Sequence, residues 1–365
     1  MKHRLIATIA AALLASGCTA ELPAPDTHAT THGVEFADSS ELSTLLEELS
    51  FSGTLIVSKG DDTLLREAVN TSSIEDTTDI TLETRFPIAS MTKSFTAALV
   101  LTLVDEGKLG LDQTLAELLP DFDAPYADKV TVRHLLQNRS GIPHYIDIPG
   151  WFDNDVKRAF TDKSFMKAVE GLDLKFTPGS DYLYSNVNYF LLALIIDRYS
   201  GMDYEASLQK QILDPLGMTA TGQLYQDPDG LAVNYLKHSD GTYEIIPVVN
   251  PVLFRGTASM VSTADDLNTW GHAVIDGKIY SEAAEAEAFH TDTPMAWIVA
   301  ELPVSEEQSV SVTYYNGRLI GYLSLIMLVP DEDGVIVILN NNTVGYENMI
   351  GLAATLATNY FGNEN

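Results

Sequence analysis

Apolar, β-rich runs stand at both ends of this chain, and that arrangement constrains its fold more than any other feature. Ser52 to Ser58 is strand-like, Lys59-Gly60-Asp61-Asp62 makes a turn, and Thr63 to Ala68 returns, which reads as a hairpin. Gly321 to Val329 and Val335 to Leu339 are also apolar and β-rich, and Asp331-Glu332-Asp333-Gly334 joins them as a second hairpin. Between these pairs, from Met91 to about Gly217, helical signals dominate, broken by loops that carry Pro and Gly. Glu41 to Leu49 and Met349 to Tyr360 read as amphipathic helices. The expected fold class is α/β plus all-α: an antiparallel sheet drawn from both chain ends, flanked by helices, with a helical region inserted. The α/β part is placed at residues 41–88 and 250–365 and the helical part at 89–249. A chain of 365 residues that is 45% hydrophobic can bury a sizeable core.

The N-terminus reads as an address. Lys2, His3 and Arg4 precede an apolar run from Leu5 to Ala15. That run is shorter than the roughly 20 residues a membrane-spanning helix needs, so residues 1–20 are read as an export signal. It ends in Leu14-Ala15-Ser16-Gly17-Cys18, similar to a bacterial lipoprotein cleavage box with Ala15 where Leu is usual. Cleavage before Cys18 would leave a lipid on it, whereas cleavage after Ala20 would discard it. The expected location is outside the cytoplasm: envelope lipoprotein or periplasmic, alternatively secreted. Residues 21–40 are rich in Pro, Thr, His, Asp and Ser and read as a flexible tether, with His28 and His32 solvated.

Charge narrows the partners. The chain has 21 Lys and Arg against 51 Asp and Glu, a formal charge of −30. Phosphate backbones need a basic surface, so nucleic acid is not an expected partner. Anionic lipid is disfavoured as well, which leaves a lipid on Cys18 as the only expected membrane contact. A single cysteine leaves no internal disulfide and no multi-Cys zinc site.

Ser90-Met91-Thr92-Lys93 places a hydroxyl and an amine three residues apart, on one face of a helix. An extended entry, Phe86-Pro87-Ile88-Ala89, puts Ser90 at the first turn, where unpaired N–H groups favour developing negative charge. Lys93 lies in an otherwise apolar segment, and burial disfavours the charged amine. A neutral amine beside a hydroxyl is a general base beside a nucleophile. Ser164-Phe165-Met166-Lys167 and Ser207-Leu208-Gln209-Lys210 share the spacing but read as exposed helix faces.

Tyr184-Ser185-Asn186 follows the turn Phe176-Thr177-Pro178-Gly179. In an extended loop the phenol and the amide project to one side. Tyr184 could relay a proton and Asn186 could bond a substrate amide. Tyr314-Tyr315-Asn316 and Tyr346-Glu347-Asn348 match the same short pattern.

The ordered set of motifs resembles the serine β-lactamase-like superfamily: class C β-lactamases, DD-peptidases and family VIII esterases. The run Thr84-Arg85-Phe86-Pro87-Ile88-Ala89-Ser90-Met91-Thr92-Lys93-Ser94-Phe95-Thr96 is similar to the family's entry to its active helix. Val132-Arg133-His134-Leu135-Leu136, Ser140-Gly141-Ile142-Pro143, Tyr184 to Tyr189, Pro215-Leu216-Gly217-Met218 and Ser262 to Leu267 follow in the family's order. The resemblance spans about Glu41 to Tyr360, implies a β-lactamase/transpeptidase-like fold, and singles out Tyr184 among the three candidates. It implies Ser90, Lys93 and Tyr184 as catalytic residues, Asn186 as a substrate ligand, and an oxyanion hole from the backbone N–H groups of Ser90 and Arg318.

The family's third motif is Lys or His, any residue, then Gly. Counting back from Gly321-Tyr322 gives Tyr315-Asn316-Gly317, so a phenol stands where the family has a cation. A phenol donates a hydrogen bond without positive charge, which puts penicillin turnover and recognition of a free carboxylate in doubt. The expected function is an exported serine hydrolase acting on an ester or amide, DD-peptidase-like or an esterase, on a small-molecule or peptidoglycan-derived substrate, with no metal or cofactor. The alternatives are a catalytically silent protein that binds cell-wall fragments and a class C-like β-lactamase. A Ser-His-Asp hydrolase is not expected, because the chain contains no Gly-x-Ser-x-Gly elbow. His134, His144, His238, His272 and His290 then read as structural. Loops around Tyr145 to Asp155 and Tyr225 to Tyr243 are expected as pocket walls.

Overall fold

The computed structural model describes residues 39–70, 79–148, 161–227, 229–237, 242–245, 254–304, 308–319, 321–342 and 346–362. Cys18, the leader, His28, His32, His238 and parts of both expected pocket-wall loops lie outside them. Among the described residues no helix is long and apolar enough to cross a membrane.

The strands are β1 (Gly53–Lys59), β2 (Asp62–Val69), β3 (Phe86–Pro87), β4 (Gly222–Gln223), β5 (Tyr235–Lys237), β6 (Tyr243–Ile245), β7 (Met260–Ser262), β8 (Ile298–Pro303), β9 (Ser309–Leu319), β10 (Tyr322–Val329) and β11 (Gly334–Asn340). The helices used below are α1 (Ser39–Glu48), α2 (Thr92–Asp105), α3 (Val132–Leu136), α4 (Asp162–Glu170), α5 (Asn186–Ser200), α6 (Tyr204–Leu208), α7 (Ala264–Ile275), α8 (Glu282–Phe289) and α9 (Tyr346–Phe361). Helix α1 begins at Ser39, so the tether read from composition overran the first helix by two residues.

A six-stranded sheet runs β2-β1-β11-β10-β9-β8, with every pairing antiparallel. Both chain ends meet in it, because β1 pairs along its whole length with β11, Gly53 opposite Asn340 and Lys59 opposite Gly334. The two-residue period of a strand then sorts the side chains. Leu55, Val57, Leu325, Met327, Ile336 and Ile338 pack with Leu42 and Leu46 of α1 and Leu352 and Leu356 of α9. Ile56, Ile326, Leu328, Val335 and Val337 point the other way, into the core shared with α2 and α7. Covered on both faces, β10 and β11 are buried at every position, which is why they read as unbroken apolar runs rather than alternating ones.

Helix α2 is the central post of the helical side. Its residues from Thr92 to Leu101 are all buried, and Phe95 stacks on Trp270 of α7 at 4.2 Å between ring centroids. A three-stranded sheet, β3-β7-β4, joins the segment before α2 to β7, which follows the inserted region, and through it to β4, which lies inside that region. The stretch expected to be helical therefore also contains the short strands β4, β5 and β6.

Candidate active site

Ser90 sits in a single 3-10 turn, Ala89–Met91, that feeds α2. The turn is strained: Ala89 has φ +47°, a left-handed conformation costing a residue with a Cβ about 1–3 kcal/mol. Its surroundings hold it there. Ile88 N–H donates to the Met260 carbonyl at 3.0 Å, Thr92 Oγ1 accepts from Met260 N–H at 3.2 Å, and Ser324 Oγ donates to the Ile88 carbonyl at 2.7 Å.

One helical turn on, Lys93 is fully buried and its Nζ lies 3.2 Å from Ser90 Oγ. Nζ also donates to the Thr257 carbonyl at 2.9 Å and stands 4.9 Å from the Tyr184 ring centroid. The Tyr184 phenol lies 2.7 Å from Ser90 Oγ. The structure thus brings Ser90, Lys93 and Tyr184 together. Their spacing is that of a nucleophile in hydrogen-bond reach of two proton-handling groups.

The other serine–lysine pairs are not such sites. Ser164 Oγ bonds within the Thr161 cap of α4, and Lys167 pairs with Glu170. Ser207, read from sequence as exposed, is fully buried and donates to Ser200 Oγ at 2.9 Å, because it packs α6 against the end of α5.

Asn186 is not in an extended loop, as its motif suggested; it opens α5, with Ser185 as the N-cap. Its Oδ1 is buried and makes no hydrogen bond, which leaves an acceptor free two residues from Tyr184. A set of buried amides that sequence reasoning missed fixes this corner. Asn138 Oδ1 accepts from Ser185 N–H at 3.1 Å and from Asn188 Nδ2 at 2.9 Å, and Asn138 O accepts from Leu183 N–H at 2.9 Å. Ser140 Oγ donates to Asn188 Oδ1 at 2.7 Å, and Ser185 Oγ donates to the Pro143 carbonyl at 3.0 Å. Asn138 has φ +54°, and Asn ahead of Ser-Gly was a readable signal for a left-handed turn residue.

A second unforeseen cluster anchors Thr257. Arg255 bonds both oxygens of Asp197, at 2.7 and 2.6 Å, and both oxygens of Glu205, at 2.7 and 2.9 Å. Burial works against the guanidinium charge, but those carboxylates outweigh it and raise the Arg255 pKa further. Next to Arg255, the Gly256 carbonyl accepts from Thr96 Oγ1 of α2 at 2.7 Å.

Tyr315, Asn316, Gly317 and Arg318 lie on β9. Strand β8 pairs with β9 only as far as Tyr314, so this stretch runs past its neighbour's end. Gly317 is required: a Cβ there would stand 2.1 Å from the Ile88 carbonyl oxygen. Tyr315, two residues away on the same face, is buried with its ring edge-on to Trp297 at 6.4 Å. Arg318 is exposed, and Tyr314 packs on the opposite face of the sheet.

His144 and His272, both read from sequence as structural, have defined surroundings. His144 is buried, accepts from Ile146 N–H through Nδ1 at 3.4 Å, and leaves Nε2 without a partner. Burial, and then the Lys93 charge, push His144 down to about 3. His272 joins Ser58 Oγ, at 2.7 Å, to Asp333 Oδ1, at 3.3 Å, in the bonding order of a Ser-His-Asp triad. Ser58 is buried in β1 and its Oγ donates to Asn268 Oδ1 at 2.7 Å, so this chain of bonds ties α7 to the sheet instead of offering a nucleophile. Among the described residues no group of three or more His, Cys, Asp or Glu is placed to hold a metal ion.

The Beta-lactamase family model matches residues 42–358. Penicillin-binding protein 4* of Bacillus subtilis (strain 168) is 28% identical over 82% of this chain and 70% of its own length. A D-aminopeptidase of Gluconobacter oxydans (strain 621H) is 25% identical over 80% of this chain. The chain spans 61% of the putative penicillin-binding protein PbpX of Bacillus subtilis and 55% of the D-aminopeptidase. Among solved structures, a D-stereospecific amidohydrolase from Streptomyces sp. superposes with a TM-score of 0.73 over 90% of this chain and 100% of that one, at 22% identity. A penicillin-binding protein from Bacillus halodurans gives 0.70 over 86% and 99%, at 24% identity. With a family model that covers almost all of the described chain and a sheet and helical region of the same fold, this chain belongs to the beta-lactamase family.

Proposed function

We propose that the protein is a serine hydrolase that forms an acyl-enzyme on Ser90 and acts on an ester or amide, as an esterase or a DD-peptidase-like enzyme. One observation carries the reading: Ser90 Oγ lies 2.7 Å from the Tyr184 phenol and 3.2 Å from a fully buried Lys93 amine. Ser90 Oγ attacks the carbonyl carbon, and its proton passes to the Lys93–Tyr184 pair. The tetrahedral oxyanion is held by the backbone N–H groups of Ser90 and Arg318. The pair then protonates the leaving amine or alkoxide, the C–N or C–O bond breaks, and the acyl group remains on Ser90. Water attacks that ester, gives its proton to the same pair, and releases the acid while Ser90 regains its own. Removing one oxyanion donor from such a site costs about 10²–10³ in rate.

The penicillin-binding, D-aminopeptidase and D-stereospecific amidohydrolase names of its relatives support acyl transfer on ester-like or amide carbonyls. Tyr315 in place of a cation favours uncharged acyl donors over those with a free carboxylate. We place the enzyme outside the cytoplasm, on a small-molecule or peptidoglycan-derived substrate. The test is to treat the protein with a fluorophosphonate or penicillin and weigh it: a mass gain mapped to Ser90 is expected, and none in Ser90→Ala. No gain in the wild type would leave the second reading, a silent binder of cell-wall fragments, which Tyr315 favours. Rapid turnover of a p-nitrophenyl ester that is lost in Ser90→Ala would eliminate that binder.

A further inference from the structure

Ser324 connects two segments that the proposed chemistry needs at a fixed spacing. It lies on β10, fully buried, and stands directly opposite Gly317 of β9 in the strand register. Its hydroxyl donates to the Ile88 carbonyl at 2.7 Å. Ile88 immediately precedes the strained Ala89, and Ser90 follows. Gly317 immediately precedes Arg318. Ser324 is therefore bonded to the turn that presents the Ser90 N–H and paired across the ladder with the residue before the Arg318 N–H.

The fit is tight on every side. A Cβ on Gly317 would lie 2.1 Å from the Ile88 oxygen and 2.5 Å from Ser324 Oγ, so the glycine, the carbonyl and the hydroxyl occupy one contact. The Ile88 oxygen also accepts from Met91 N–H, at the longer distance of 3.2 Å. The Met91 bond lies within the turn and does not refer it to β9; the Ser324 bond does. An oxyanion hole works only if its donors already point at one place, and small displacements of a pre-aimed group are costly.

We propose that Ser324 is a positioning residue that sets the distance between the two halves of the oxyanion hole, by bonding the Ile88 carbonyl from a position opposite Gly317. The Ser324 hydroxyl bonds the Ile88 carbonyl, two residues before Ser90, so it acts through the turn. The inference rests on the acyl-enzyme reading above, and its experiment separates the two.

Ser324→Ala is compared with wild type on a p-nitrophenyl ester, with the active fraction fixed by stoichiometric fluorophosphonate labelling of Ser90. The expected result is a fall in kcat per labelled site of about 10–100-fold with KM within about threefold, the loss of an interaction made only in the transition state. Reversible affinity for a boronic acid that mimics the tetrahedral adduct should fall by a similar factor. The pH dependence of kcat/KM should keep its shape, because the Ser90–Lys93–Tyr184 contacts do not involve Ser324. Ser324→Cys, which keeps a weak donor, should fall between the two. An Ala variant with wild-type kcat per labelled site, even if it melts at a lower temperature, would overturn the proposal and leave the acyl-enzyme reading standing. Absence of labelling in the wild type would remove that reading itself.

Discussion

The Tyr184 phenol lies 2.7 Å from Ser90 Oγ, although 94 residues separate the two in sequence. Proton transfer by a positioned side chain contributes about 10²–10⁴-fold in rate. Tyr184→Phe keeps the ring over Lys93 and removes only the hydroxyl. We expect kcat for a p-nitrophenyl ester to fall by about 10²–10⁴, with little change in melting temperature. A loss below threefold in steady-state kinetics would take Tyr184 out of the proton path.

Arg255 holds Asp197 and Glu205, and with them the chain segment whose Thr257 carbonyl bonds Lys93. Arg255→Met leaves those carboxylates uncompensated in a largely buried place. Breaking such a cluster costs about 3–5 kcal/mol, so urea denaturation should show a loss of that size. A midpoint that does not move would mean the cluster is solvated in solution.

Burial and Lys93 hold the folded His144 at about 3, against 6.5 for a free histidine. The unfolded chain therefore binds a proton through a window in which the folded one does not. Stability is fully present above pH 6.5 and drains away as the pH falls toward 3, by up to about 1.4 kcal/mol per pH unit for one proton. In His144→Phe that part of the slope should vanish between pH 6 and 4 when denaturation is followed across pH. An unchanged slope would place the proton uptake elsewhere.

By the motif order of the sequence, Tyr315 is read as standing where the family's third motif has a lysine or histidine. A charge-assisted hydrogen bond contributes about 1.5–3 kcal/mol, so Tyr315→His should speed acylation by benzylpenicillin at acidic pH by about tenfold. Turnover of a neutral ester should stay within about threefold of wild type, since it needs no cation. Equal changes in both, measured by stopped-flow acylation and ester hydrolysis, would show that the position reads no charge.

Asn138 supplies acceptors to three N–H groups on the Tyr184 side of the site and sits at positive φ. Asn138→Ala loses the side-chain bonds and strains the backbone, while Asn138→Gly loses only the bonds. Thermal melts should place the glycine variant above the alanine variant, by about 1 kcal/mol in stability. The reverse order would mean that the left-handed turn is not retained.

Much of this architecture was readable because local chemistry and global fold agree. The β1–β2 and β10–β11 hairpins announced themselves through turn residues between apolar runs, and α2 through its extended entry and apolar length. Tyr184 needed context, since two other Tyr-x-Asn sequences match it and only the order of motifs separated them. What stayed hidden depends on residues distant in sequence. Nothing local marks Arg255 as the partner of Asp197 and Glu205, or Asn138 as the support of Ser185. Ser207 reads as a surface serine because the pattern of its own helix does not reveal α5 lying over it. Ser324 is one polar residue in an apolar strand, and its purpose appears only when Ile88 arrives from the other end of the molecule.

That arrival has a temporal side. The hydroxyl that steadies the nucleophile's turn is donated from 236 residues downstream, on a strand that itself pairs with the C-terminal hairpin partner. A polypeptide emerging from the ribosome would carry Ser90, Lys93 and Tyr184 long before it could brace them. The hydrolase would stay unarmed through most of its own synthesis, becoming competent only as the last strands close the sheet.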